Sequence, residues 1–174
     1  MNCKKELFLD LPYPPLCVTE QNPEIARWLF PLYAGASGEL TAISQYIYQS
    51  IVTGDTDPVL SDALECIAVT EMKHFSMLGK LIQMLGANPL LCSPSPHNRR
   101  CRPWSSAYLT YRQEPSRFLS ENVCSEEEAA QAYEHAAACI SDPHVSAVLR
   151  RIAQDELHHA DIFRNWKSMQ KEPK

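Results

Sequence analysis

Two segments of the chain end in the same motif, Glu-x-x-His, and repeat one another in register. Residues 57–74 read DPVLSDALECIAVTEMKH, and residues 142–159 read DPHVSAVLRRIAQDELHH. On a helix, the glutamate and the histidine of each motif lie on one face about one turn apart. Carboxylate oxygens and imidazole nitrogens together suit iron or manganese. The motif residues Glu71, His74, Glu156 and His159 are therefore candidate metal ligands.

A second repeat precedes each motif and adds one glutamate to each copy. The first copy follows Glu39-x-x-Ala-x-x-x-Tyr46, and the second follows Glu126-x-x-Ala-x-x-x-Tyr133. One Glu-x-x-His arises readily by chance in a chain rich in glutamate, but two aligned copies favour a metal site over a repeat of buried structural polar residues. Four carboxylates and two imidazoles are the ligand set from which helical bundles build a two-metal site.

Capping residues and prolines divide the chain into four helical regions. We expect these regions to cover residues 22–53, 57–85, 115–140 and 142–168, each beginning with or just before a proline. Pro31 predicts a kink or a one-turn break in the first region, whose functional part then covers residues 32–53. The remaining segments are predicted to be an N-terminal arm that packs across the outside (1–21), a proline-rich crossover (87–114) and a polar tail (169–174).

The lengths of the links predict the fold. Short links within each helix pair and one long link between the pairs indicate two antiparallel hairpins, which is the topology of an all-α, ferritin-like four-helix bundle. We expect one domain over residues 1–174. Glu39 lies about 14 residues, or roughly 21 Å, before the turn of the first hairpin, and Glu71 lies about 13 residues, or roughly 20 Å, after it. The second hairpin repeats this spacing, so all four glutamates should meet at one height.

Composition argues against several classes of partner. A net charge of -5, with 16 basic and 21 acidic residues, gives no electrostatic reason to expect nucleic acid or an anionic membrane. No apolar run suggests a signal peptide or a membrane span, and seven cysteines without a Cys-x-x-Cys pair argue against a disulfide framework or a zinc ribbon. We therefore expect a cytoplasmic protein. Cys92, His97 and Cys101 are expected to lie in a flexible loop, because three ligands do not close a structural zinc site.

The repeated motifs resemble those of the ferritin-like superfamily of di-iron and di-manganese carboxylate proteins, and within it small rubrerythrin-like and manganese-catalase-like proteins. The resemblance covers most of the chain, including EMKHFSMLGKLIQMLG and RIAQDELHHADIF. It implies that Glu71 and Glu156 bridge the two metals, that Glu39 and Glu126 are terminal ligands, and that His74 and His159 bind one metal each. It also implies hydrogen bonds that support the ligands. Tyr46 and Tyr133, which could otherwise be ordinary core aromatics, would hydrogen-bond ligand carboxylates, and Asp155 would accept a hydrogen bond from a ligand histidine of the neighbouring helix. Thr70 would be the weaker counterpart of Asp155.

Two departures from the rubrerythrin pattern bear on function. Ala129 stands where rubrerythrins typically carry an additional glutamate, and the cysteine pairs of a rubredoxin iron site are absent. An external electron donor would have to supply any electrons that the reaction needs. The resemblance implies a redox protein with two iron or two manganese ions that acts on hydrogen peroxide or dioxygen, as a peroxidase, catalase or ferroxidase. The alternative is a non-enzymatic bundle for iron handling or a structural metal site.

Two smaller hypotheses concern access and assembly. Gly35 and Gly38, just before Glu39, could leave room for a small oxidant to reach the metals. The aromatic residues of the crossover, Trp104, Tyr108 and Tyr111, either form a partner surface, most simply in a homodimer, or cover the bundle.

Overall fold

The computed structural model describes residues 5–94 and 101–169. Five α-helices carry the fold: α1 (Pro23–Ala34), α2 (Glu39–Thr53), α3 (Pro58–Met84), α4 (Pro115–Cys139) and α5 (Pro143–Met169). Two short strands, β1 (Cys92–Pro94) and β2 (Cys101–Pro103), form an antiparallel pair in the crossover, and 3-10 turns cover Lys5–Leu7 and Ser106–Tyr108. No helix in the described ranges is long and apolar enough to cross a membrane.

Three helices begin as predicted, on an asparagine or aspartate followed by proline. Asn22 accepts a hydrogen bond from the backbone of Glu24, Asp57 from that of Leu60, and Asp142 from those of His144 and Val145. These side chains satisfy backbone N–H groups that have no partner within the helix, while the proline contributes no donor and already has helical φ.

The break in the first helical region lies later than predicted. Pro31 stays inside α1, and the helix ends three residues later, at Ala34, because the backbone becomes extended at Gly35. A Cβ atom on Gly38 would lie 2.6 Å from the backbone oxygens of Pro31 and Leu32, so the tight turn itself requires glycine there. Gly38 also lines the cavity of about 240 Å³ that reaches Glu39, so a path for a small oxidant beside this turn stays a prediction. The functional helix begins at Glu39 rather than at residue 32.

The bundle consists of two hairpins, α2 with α3 and α4 with α5, as predicted. Their apolar faces form two core clusters, one around Leu29, Leu81 and Leu149, and one around Leu64 and Phe163. The ligand-bearing turns of the helices lie between these clusters. Apolar packing at both ends therefore stabilises a polar layer that would be unfavourable alone.

The crossover differs from the predicted flexible loop. Cys92 and Cys101 form a disulfide that joins β1 to β2, with 5.6 Å between their Cα atoms. Cys66 is disulfide-bonded as well. The argument from an odd cysteine count against a disulfide framework is therefore wrong for these residues, because a hairpin brings together two cysteines that are nine residues apart in the chain. His97 lies outside the described residues.

The N-terminal arm crosses the α3 and α5 side of the bundle. Its backbone is tied down at two points, where Arg151 Nη2 donates to the carbonyl of Leu11 (2.9 Å) and Thr19 N donates to Asp142 Oδ2 (2.6 Å). Tyr13, Leu16 and Val18 pack against the larger core cluster. The arm is therefore part of the packed structure, as the prediction of a segment across the outside implies.

Candidate metal centre

Six buried side chains from four helices meet in the middle of the bundle, and they are the six predicted ligands. Each is at most 4% exposed. Glu39 begins α2, Glu71 and His74 lie in α3, Glu126 lies in α4, and Glu156 and His159 lie in α5. Their ligand atoms fall into two groups, each within 4.8 Å: Glu39, Glu71, His74 and Glu156 form one, and Glu71, Glu126, Glu156 and His159 form the other. The helix arithmetic predicted this convergence.

Glu71 and Glu156 belong to both groups. His74 Nδ1 lies 2.9 Å from Glu71 Oε2 and 3.2 Å from Glu156 Oε1. His159 Nδ1 lies 2.8 Å from Glu71 Oε1 and 3.5 Å from Glu156 Oε2. Each of these carboxylates therefore turns one oxygen toward each histidine, which is the arrangement of a ligand that bridges two cations.

Glu39 and Glu126 each belong to one group. Glu39 Oε2 lies 3.7 Å from His74 Nδ1, and Glu126 Oε2 lies 3.9 Å from His159 Nδ1. A tyrosine from the opposite hairpin holds each of them, because Tyr46 donates to Glu126 Oε1 and Tyr133 donates to Glu39 Oε1. The outer oxygen of each carboxylate is thereby fixed, and the inner oxygen is left to face the centre.

The inner atoms fit a pair of cations. Four of them, Glu39 Oε2, Glu71 Oε1, Glu156 Oε1 and His159 Nδ1, are buried and make no hydrogen bond of good geometry with the described residues, although Glu71 Oε1 and His159 Nδ1 lie 2.8 Å apart. A buried polar atom without a partner costs about 1–3 kcal/mol, and more when it is charged. Four such atoms aimed at one small volume would be satisfied together by bound metal, and oxygen and imidazole donors suit iron or manganese.

Protonation of the metal-free centre follows from burial and mutual charge. Burial, and then the charges of Glu156 and Glu71, raise the pKa of Glu39 well above its usual value, and the same causes raise the pKa of Glu126. Burial opposes ionisation of Glu71 too, but contacts with His159 and His74 outweigh it and lower its pKa. Burial opposes the charged form of both histidines, yet the surrounding carboxylates raise the pKa of each. In the metal-free centre, bound protons therefore offset the carboxylate charges that metal cations would offset in the loaded one.

The predicted supporting residues lie beside the histidines. Asp155 Oδ2 is 3.1 Å from His74 Nε2, which matches the expected bond from a neighbouring helix. Thr70 is buried and lies with His159 on the wall of a cavity of about 420 Å³ under the arm. The two histidines therefore have different neighbours: the carboxylate of Asp155 lies beside His74, whereas Thr70 and a cavity lie near His159.

Sequence reasoning missed two residues next to the centre. Tyr13 of the arm donates to Asp155 Oδ2 (2.7 Å), and its oxygen lies 3.2 Å from His74 Nε2. Arg151 lies 2.7 Å from Asp155 Oδ1 and is 7% exposed. Arg151 could have been found, because it lies four residues before Asp155 on one helix face. Tyr13 carries no such signal, since its position depends on how an extended segment docks.

A second cavity, of about 240 Å³, opens onto the centre from the α2 and α4 side. Glu39, Glu71, Glu126 and Glu156 line its floor, and Ala129 lines its wall, so the position of the missing rubrerythrin glutamate does face the centre. The crossover covers this side: Tyr108 and Thr110 line the cavity, and Trp104 Nε1 donates to Thr41 Oγ1 (2.9 Å). These contacts favour the reading that the aromatic crossover covers the bundle, while Tyr111 stays 58% exposed.

Several known proteins are similar to this chain in sequence or in fold. Protein CotJC of Bacillus subtilis is 26% identical over 166 residues, with 86% of each chain covered. A probable manganese catalase of Clostridium acetobutylicum is 26% identical over 163 residues, which cover 84% of this chain and 72% of that protein. The crystal structure of KatB, a manganese catalase from Anabaena PCC7120, superposes with a TM-score of 0.80 at 24% identity, covering 96% of this chain and 86% of that chain.

A bacterioferritin of Desulfovibrio desulfuricans, whose structure describes a diiron site, has the same fold, with a TM-score of 0.69 at 20% identity over 84% of this chain and 81% of that chain. Residues 32–167, which hold all six clustered side chains and every helix from α2 to α4, match the rubrerythrin family. The chain therefore belongs to the rubrerythrin family.

Proposed function

We propose that the chain is a dinuclear manganese oxidoreductase that disproportionates hydrogen peroxide. The observation that carries the proposal is the pair of four-residue groups that share Glu71 and Glu156. The charges of four carboxylates balance those of two divalent cations. The buried inner oxygens of Glu39, Glu71 and Glu156 make no hydrogen bond of good geometry, so a bound cation would stabilise them. Manganese is preferred because the clostridial relative is described as a probable manganese catalase.

The protein residues would divide the work between binding, orientation and exclusion of water. Glu71 and Glu156 would bridge the two metals, Glu39 and Glu126 would bind one each, and His74 and His159 would complete the set. Tyr46 and Tyr133 orient the terminal carboxylates through their hydroxyl groups. When bound, a manganese pair supplies a two-electron couple, one electron from each metal. The two core clusters close two sides of the layer to water, and the 240 Å³ cavity leaves one side open to a small substrate.

The lining of the 240 Å³ cavity favours a neutral oxidant over an incoming metal cation. Its outer wall consists largely of small or uncharged residues, such as Ala36, Ser37, Gln45 and Thr110. The acidic residue outside the ligand layer is Glu121, and Arg112 pairs with it. A path that attracts Fe²⁺ would be expected to expose several carboxylates, because a line of one charge sign concentrates counter-ions. Hydrogen peroxide needs only space and hydrogen-bonding groups.

The test is turnover by protein reconstituted with manganese or with iron. Catalase chemistry releases one molecule of dioxygen for every two of peroxide without an added reductant, so oxygen evolution and peroxide loss are measured together. Glu156→Gln should abolish turnover. Glu128→Gln serves as the matched control, because Glu128 lies on the same helix as Glu126 but is exposed.

Other outcomes point to the other functions. Peroxide loss that needs an external electron donor would indicate a peroxidase, and iron oxidation with storage or no turnover above free metal would indicate the iron-handling or structural role. A cytoplasmic location and a homodimer stay predictions, which localisation in the host and the solution mass would test.

A further inference from the structure

Tyr13 reaches the metal centre from a segment outside the part of the chain that matches the family. It precedes residues 32–167, lies in the extended arm, and is half-buried. Two cations flank its ring: Lys73 Nζ lies 4.1 Å and Arg151 Cζ lies 4.6 Å from the ring centroid. Cations against the face of an aromatic ring contribute to holding it in place. The arm therefore presents this hydroxyl group in a defined position.

The hydroxyl group of Tyr13 lies beside the outer nitrogen of the His74 ring, Nε2. The hydroxyl group donates to Asp155 Oδ2 at 2.7 Å, so its oxygen is free to accept. His74 Nε2 lies 3.2 Å from that oxygen and 3.1 Å from Asp155 Oδ2, and both of these neighbours are acceptors. If Nδ1, the atom that faces Glu71, Glu156 and Glu39, binds a metal, the ring proton of His74 must be on Nε2, where these two acceptors can hold it.

Arg151 ties this contact to the docking of the arm. Its guanidinium lies 2.7 Å from Asp155 Oδ1 and donates to the carbonyl of Leu11 at 2.9 Å, two residues before Tyr13. One oxygen of Asp155 therefore faces Arg151, and the other faces Tyr13 and His74. The arm backbone, the acid and the ring of His74 form one buried, connected network, in which each bond supports the geometry of the next.

Within residues 5–94 and 101–169, no acid or tyrosine supports His159 in this way. The corresponding position beside it is Thr70, and the 420 Å³ cavity under the arm reaches it directly. The two halves of the centre are therefore unequal in their support, although their inner ligands repeat. Loosening the arm should affect the half with Glu39 and His74 and leave the half with Glu126 and His159 largely unchanged.

We propose that Tyr13 is a positioning residue that couples docking of the N-terminal arm to metal affinity at the Glu39 and His74 position. The inference rests on the proposed metal function for its setting, but it concerns binding rather than turnover. Hydrogen bonds to a ligand histidine typically change metal affinity 10–100-fold. Tyr13→Phe keeps the ring and its packing and removes only the hydroxyl group.

The test compares Tyr13→Phe in two backgrounds by titrating the metal-free protein with Mn²⁺. In a Glu126→Gln background, which weakens the other position, Tyr13→Phe should lower affinity about tenfold or more. In a Glu39→Gln background it should leave the remaining affinity within about twofold. Tyr48→Phe is the matched control, because its hydroxyl group bonds the backbone of Tyr111 at the surface. Equal losses in both backgrounds, or none in either, would overturn the proposal.

A second measurement needs no metal. The ¹⁵N chemical shift of His74 Nε2 in the metal-free protein reports the hydrogen bond that this nitrogen donates, and Tyr13→Phe should change it while the His159 shifts stay constant. Unchanged His74 shifts would contradict the inference. Failure of the proposed function is distinguishable, because a manganese protein without peroxide turnover could still show the selective loss of affinity.

Discussion

The four glutamates of the centre are one residue type in two electrostatic surroundings. Glu71 and Glu156 each contact both histidines, and their pKa values lie below the usual value despite burial. Glu39 and Glu126 each accept from a tyrosine, and burial with the charges of the other two raises their pKa values. In the metal-free protein, these surroundings therefore favour the ionised form of the shared pair and the protonated form of the terminal pair.

Removing a shared glutamate should cost more metal than removing a terminal one. Glu71→Gln takes an oxygen from both groups, so we expect bound manganese to fall from about two per chain to well below one. Glu39→Gln affects one group, so about one metal per chain should stay bound. Metal analysis after desalting measures both, with Glu128→Gln as the exposed control. Equal stoichiometry in the two variants would contradict a shared role for Glu71.

Metal affinity should decrease as the pH falls. The raised pKa values of His74, His159, Glu39 and Glu126 mean that the metal-free centre holds protons that bound metal must displace. Lower pH increases proton occupancy, so affinity should fall by about tenfold per pH unit for each proton displaced. Calorimetric titration in buffers of different ionisation enthalpy measures the protons released. Affinity that rises toward acid pH would contradict the assigned protonation.

The six clustered side chains could be predicted because the sequence contains the same pattern of glutamate and histidine twice. The repeat pairs Glu39 with Glu126 and His74 with His159, and helix geometry converts that spacing into convergence. Tyr13 has no repeated partner, and its place in an extended arm follows no period that sequence could show. The bond between Tyr13 and Asp155 joins residues 142 positions apart, which local pattern cannot reveal.

At the scale of elements, the turn between α1 and α2 decides where the functional helix begins. Pro31 predicted a break in the first helix, but that helix continues past it and the chain turns at Gly35 and Gly38 instead. A proline near a helix end removes only one backbone donor, whereas backbone oxygens at 2.6 Å leave no room for a side chain at Gly38. Sequence shows both residue types, but only the packed turn shows which one ends the helix.

Gly38→Ala should therefore destabilise the protein and disturb Glu39, the next residue. The new methyl group meets backbone oxygens that cannot move independently, so we expect a loss of about 1–3 kcal/mol in the free energy of unfolding. Gly54→Ala is the matched control: the glycine is helical, and its Cβ would lie 3.6 Å from its nearest neighbours, so stability should stay equal or rise by about 0.4–1 kcal/mol. Denaturant unfolding measures both, and equal effects would contradict the role of the turn.

At the scale of the whole molecule, two apolar clusters enclose a layer of four carboxylates and two imidazoles. The bundle and its topology followed from link lengths and the repeat, because short links force antiparallel neighbours. The disulfide of the crossover and the docking of the arm did not, because they depend on contacts between segments without periodicity. Folding energy from the clusters must offset the cost of the polar layer between them.

Bound metal should therefore stabilise the whole bundle. At a free Mn²⁺ concentration 100 to 1,000 times the dissociation constant, mass action adds about 2.7–4.1 kcal/mol. For a chain of 174 residues this corresponds to a rise in melting temperature of roughly 5–16 °C. Glu71→Gln should abolish most of the rise, and Mg²⁺ should produce less of it, because that ion prefers oxygen ligands and the centre offers two imidazoles. A melting temperature that is the same with manganese and with chelator would show that the six side chains do not enclose a metal pair.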